Sequence, residues 1–146
     1  METAWIVLAS AAGACIALQA AANGSLRTTL DDPRYAAFFS ICGTIATAVA
    51  VMLLVRPNPP ALAAVRAAPW WNWIGGPLGA AFVLAGAVLA PKLGAAAFIA
   101  AVVAGQLCCS LVLDHFGLMN LPRQELTATR IVGALLVFAG VLLVKR

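Results

Sequence analysis

Charge is what this sequence has least of. Of its 146 residues only 10% are Asp, Glu, Lys or Arg, where a typical soluble domain carries roughly 25%. Five acids, nine bases and one histidine cannot cover a water-facing surface of this length, which excludes a soluble fold. The bases form no stripe interleaved with stacking aromatics, which excludes a nucleic-acid groove. The single histidine, His115, has no Cys or His partner at ligand spacing, so neither a metal nor a cofactor is expected. Catalysis inside a membrane needs an activated nucleophile, a metal or a paired acid and base in a reachable site. Asp114 and His115 are merely adjacent in sequence, and an enzyme is not expected. The four cysteines (Cys15, Cys42, Cys108, Cys109) fall inside apolar runs, as small apolar residues do, rather than forming a disulfide framework.

What the chain has in quantity is apolar length. It is 64% hydrophobic, with a mean hydropathy of +1.01. A crossing needs about 20 mostly apolar residues to cover roughly 30 Å of hydrocarbon. Five stretches qualify, at about 4–24, 36–55, 72–90, 93–113 and 128–144. Apolar and polar positions do not alternate, and the runs are about twice the length of a membrane-barrel strand. The expectation is an all-α polytopic membrane protein, a single five-helix domain over 1–146 with the lipid bilayer as its first partner.

The breaks have their own chemistry. Asp31-Asp32-Pro33-Arg34 reads as a polar turn. Arg56-Pro57-Asn58-Pro59-Pro60 ends the second span, because proline lacks the helical donor and biases its predecessor away from α. Pro91-Lys92 reads as a very tight connection that sets spans three and four antiparallel and adjacent. Asp114 to Glu125, with Gly117 and Pro122, reads as a loop, and Ala61 to Ala68 as a short interfacial helix. The first span has Glu2 and no base before it, unlike a cleaved signal, so it is expected to be retained.

Tryptophans and bases bear on the threading. Trp5 opens span one, while Trp70, Trp71 and Trp73 open span three. With five spans all four indoles fall at one interface, where such rings prefer to lie. The same threading puts Arg56, Arg66, Arg123 and Arg130 on the face of the N-terminus, and Arg27, Arg34, Lys92, Lys145 and Arg146 on the other. Orientation follows an excess of Lys and Arg in cytoplasmic loops, and four against five is almost none. Either one orientation wins narrowly, or the chain inserts both ways and pairs antiparallel.

Polar groups inside apolar spans are costly and usually face a bundle interior or a cavity. Gln19 and Asn23 lie four apart on one face of span one, with Arg27 a turn farther. Gln106 and Ser110 do the same on span four, with Asp114 at the membrane edge. Two readings stand. The stripes line a polar path, or they join helices by hydrogen bonds of about 0.6 kcal/mol each. Asp114, a possible coupling group, reads equally as a solvated loop residue or as a cap after the helix. Gly75, Gly76 and Gly79, and later Gly133 and Gly140, are spaced for close helix packing within one subunit or between two.

Taken in order, these pieces resemble a known family. Ala17-Leu18-Gln19 with Asn23 and Leu26, then Gly75-Gly76-Pro77-Leu78-Gly79-Ala80, are similar to the YdcZ-like family of bacterial inner-membrane proteins. So are Gly105-Gln106 with Ser110, Asp114-His115-Phe116-Gly117, Arg130, Gly133 and Gly140. That family belongs to the drug/metabolite transporter superfamily, and the likeness covers essentially the whole chain. It implies a five-helix half-transporter in the bacterial inner membrane, with dual topology. The partner would be a second copy, as an antiparallel homodimer, or an oppositely oriented paralogue. It also implies alternating access for a small substrate. Gln19, Asn23, Gln106 and Ser110 would bind substrate, and Asp114 and Arg27 would serve coupling or gating. Gly75, Gly76, Gly79, Gly133 and Gly140 would pack helices, and Pro91 would set the hairpin. Unlike the small multidrug members, whose first helix carries a glutamate, the first span here has no acid at its centre. Neutral or zwitterionic cargo therefore fits better than a bare cation. The rival reading is a non-transporting accessory or assembly subunit.

Overall fold

The computed structural model describes residues 2–145. Among them there are helices and turns but no strands. The helices are α1 (Glu2–Leu30), α2 (Pro33–Val55), α3 (Leu62–Ala67), α4 (Gly75–Leu93), α5 (Ala95–Phe116) and α6 (Ala128–Val144). Short 3-10 turns fill Trp70–Trp73 and Leu118–Asn120. Helices satisfy their own backbone groups, which is what a chain in hydrocarbon requires. Four segments are long and apolar enough to cross a membrane: Glu2–Leu30, Pro33–Val55, Trp70–Leu93 and Ala95–Phe116. The last helix, α6, has 17 residues, or about 26 Å of rise.

Local chemistry explains the ends. Asp32 caps α2: its carboxylate accepts from the Arg34 N–H at 2.8 Å, and Pro33 takes the first position, where no N–H is needed. Arg56 ends α2 in the left-handed region at φ 48°, just before Pro57. Thr127 caps α6 by accepting from the Arg130 N–H at 3.3 Å. The short helix expected over 61–68 is present as α3.

One connection differs from expectation. Pro91 and Lys92 lie inside α4 rather than between two spans, and the break falls at Gly94. Pro91 sits in the last turn, so its missing N–H removes only the bond to the Ala87 carbonyl and the helix runs on. Gly94 has φ +84°, which residues with a Cβ rarely adopt. Its N–H closes α4 on the Ala90 carbonyl at 2.9 Å, and its own carbonyl opens α5 through the Phe98 N–H at 3.0 Å. One residue thus separates the two helices.

The chain forms two compact units, Ala22–Val88 and Met1–Ala21 with Leu89–Arg146. In the first, the buried residues include Asn23, Ala36, Ala37 and Ala87. In the second they include Ala20, Ala90, Phe98, Ala104, Leu111 and Ala134. The interior is therefore built mostly from alanine, while large side chains face outward: Leu54 is 83% exposed and Leu143 is 71% exposed. In water that distribution would be untenable. In a bilayer it is the expected one, because lipid tails are as apolar as leucine and small residues let helices approach. Trp5, Trp70 and Trp73 are likewise exposed.

Candidate functional site

On α1, the 3.6-residue period places Gln19, Asn23 and Arg27 on one face. Gln19 is half-buried and Asn23 is buried. Arg27 is half-buried, and its guanidinium donates to the main-chain carbonyl of Val88 on α4 at 3.1 Å. This bond lies within the Ala22–Val88 unit. It falls one residue beyond the carbonyl that Pro91 deprives of its helical donor.

On α5, Gln106 and Ser110 are both exposed. The opposite side of this helix faces α6, across an apolar groove of about 360 Å³ whose walls include Cys108, Leu111, His115, Ile131, Ala134 and Phe138. At about 100° per residue, Gln106 and Ser110 point roughly 180° away from that groove. Neither has a side-chain hydrogen-bond partner among the described residues. The polar stripe of α5 is therefore on the side of its own unit that α6 does not cover.

The C-terminal end of α5 carries the densest polar cluster. Asp114 is ion-paired with Arg130 in the first turn of α6, both half-buried. The Asp114 carbonyl accepts from Gln124 N–H at 2.8 Å and from Gly117 N–H at 3.3 Å. Arg123 Nε donates to the His115 carbonyl at 3.0 Å, and Arg130 donates to the Glu125 carbonyl at 3.4 Å. Asp114 is thus neither free nor simply solvated: it ties the loop and α6 to the end of α5. The signal in the sequence was a lone acid closing one apolar run and a lone base opening the next, and only the loop's fold brings them together. The loop takes left-handed backbone at Gly117, Met119 and Asn120. A Cβ at Gly117 would meet the Leu121 carbonyl oxygen at 3.3 Å.

The glycines assigned to packing lie elsewhere. A Cβ placed on Gly75, Gly76, Gly79, Gly133 or Gly140 would meet nothing within 4 Å. Gly75, Gly76, Gly79 and Gly133 are exposed, and Gly140 is half-buried. All four cysteines are free and exposed. Among the described residues no group of three His, Cys, Asp or Glu side chains gathers as a metal set.

A family model described as "Putative inner membrane exporter, YdcZ" matches residues 4–143. The chain is also 40% identical over 82 residues to the "Inner membrane protein YdcZ" of Escherichia coli (strain K12), an overlap of 56% of this chain and 54% of that protein. The match thus spans about half the length of that curated relative. No solved structure matches.

Proposed function

The chain belongs to the YdcZ family of inner-membrane exporters, and on that premise we propose that it is one half of a small-molecule carrier. It lies in the inner membrane, and the description of its family as an exporter supports a transporter. On this reading α6 is the fifth crossing. Two chains pair in opposite orientation, and a small polar or amphipathic metabolite moves between them by alternating access. Inverted repeats build such carriers, with the site near the bilayer midplane.

The observation that carries the proposal is the outward polar face of α5. An amide in hydrocarbon without a partner is costly, and neither Gln106 nor Ser110 has a side-chain hydrogen-bond partner among the described residues. A second chain that encloses this face converts a liability into a path whose wall offers both hydrogen-bond donors and acceptors. Gln19 and Asn23 supply the matching amides of α1. The near-equal division of bases between the two faces supports opposite insertion, since neither orientation is strongly selected.

Two experiments test this reading. A ligand-stabilisation screen on the purified protein identifies cargo, because binding to the native state raises apparent stability. Flux of the best hit in reconstituted vesicles is expected to fall about two- to tenfold in Gln106→Ala, the loss of one hydrogen bond. Dimer yield should persist. Unchanged flux would assign Gln106 to packing and favour the accessory-subunit reading. Separately, a C-terminal tag should be reachable from both sides of the membrane in one culture, and strictly one-sided labelling would remove the antiparallel self-pair.

A further inference from the structure

Three polar residues of the Ala22–Val88 unit follow one another at helical spacing, and their partners are only partly accounted for. Asn23 is only 6% exposed, yet its side-chain amide has no hydrogen-bond partner among the described residues. The sealed, unpartnered side-chain atoms among those residues are Trp71 Nε1 and His115 Nδ1. The Asn23 amide is not one of them, so water can still reach it. Arg27 lies one turn along the same face. Its guanidinium carries five N–H donors, of which one is used on the Val88 carbonyl. The described residues hold two ion pairs, Arg34 with Asp32 and Arg130 with Asp114. Arg27 is in neither. Asp31, a further turn on, is exposed, has left-handed backbone at φ 55° and is in no ion pair.

A half-buried guanidinium without a carboxylate, beside a buried amide without a partner, is a receptor for an oxyanion. Resting on the carrier reading above, we infer that the cargo carries a carboxylate and that Arg27 and Asn23 form the subsite that reads it. Guanidinium matches carboxylate in a planar, two-pronged geometry. The Asn23 amide donates a further hydrogen bond about one helical turn, or 5 to 6 Å, away along α1. That separation suits a carboxylate with a polar substituent beside it. One arginine balances one negative charge. A phosphate dianion would need a second cation, and α1 offers none near this face. A bare organic cation is repelled by Arg27 and finds no acid on the central part of α1.

The test uses matched probes. The full-length protein in detergent is melted with a panel of small carboxylates of metabolite size, the corresponding carboxamides, and inorganic phosphate, at constant ionic strength. Carboxylates are expected to raise the melting temperature more than their amides and more than phosphate. In Arg27→Gln the carboxylate Kd should weaken at least about tenfold, equivalent to about 1.4 kcal/mol. The introduced amide can still donate to the Val88 carbonyl, so folding should persist. Arg27→Lys, which keeps the charge but loses the planar fork, should fall between. Equal response to carboxylate and amide would overturn the subsite while leaving a Gln106-dependent carrier intact. Retained carboxylate preference in Arg27→Gln, or stronger stabilisation by phosphate, would also overturn it. Stabilisation by no probe, with Gln106→Ala equally silent, would overturn both readings.

Discussion

Removing the charge of Asp114 is the perturbation whose outcome the structure constrains most closely. The Asp114–Arg130 pair joins the last turn of α5 to the first turn of α6, with 26% of the acid side chain and 29% of the base exposed. Fully exposed pairs contribute about 0.2–1 kcal/mol, and hydrogen bonds to charged groups about 1.5–3 kcal/mol. Partial exposure, with the corresponding screening, sets the expectation at about 1–2 kcal/mol. Asp114→Asn keeps the side-chain shape and leaves untouched the main-chain bonds from Gln124 and Gly117. Only the charge is lost. Opening of the 117–127 loop should then rise about 5- to 30-fold. Trypsin cleavage after Arg123 reads this directly, because that guanidinium is held on the His115 carbonyl and the loop must detach to enter a protease. Cleavage tracks the open population when reclosing is fast. A cycle with Arg130→Gln isolates the pair: the double variant should open little more than either single one. Strict additivity, or unchanged cleavage in Asp114→Asn, would refute the idea that this pair closes the α5–α6 end.

Further expectations follow from backbone and charge. Gly94→Ala should lower stability by about 1–3 kcal/mol, measured as detergent-unfolding midpoint. No neighbour lies within 4 Å of the added Cβ, so the penalty comes from φ +84° alone, and a neutral result would contradict the linking role given to Gly94. Asp32 has its pKa lowered from 3.8, first by the side-chain hydrogen bond from Arg34 and then by the Arg34 backbone N–H. A depressed acid stabilises the folded state above its unfolded pKa and loses that contribution as pH falls through the folded value. The melting difference between wild type and Asp32→Asn should therefore be constant well above 3.8 and shrink as the pH falls through and below that value. A difference that grows on acidification would reverse the assignment.

Fold class and membrane residence were legible from composition alone. Sparse charge and five apolar runs leave helices in lipid as the one solution that satisfies every backbone group. The polar breaks were legible too, in Asp31-Asp32-Pro33-Arg34 and in the run from Asp114 to Glu125. The periodicity of α1 and α5 placed Gln19 with Asn23, and Gln106 with Ser110, before any coordinate was known, since helical spacing is a local property.

Sequence order could not say which of those faces turns inward. Tertiary structure buried Asn23, left Gln106 and Ser110 outside, and paired Arg27 with a carbonyl and Asp114 with Arg130. It also moved the tight link from Pro91 to Gly94, because a proline in a final helical turn removes a single bond whereas a left-handed backbone ends the helix. The physical reason is common to all of these: burial and pairing depend on which helices meet. In a chain this apolar, many packings satisfy the same hydrophobic pattern, and only a few polar contacts decide among them.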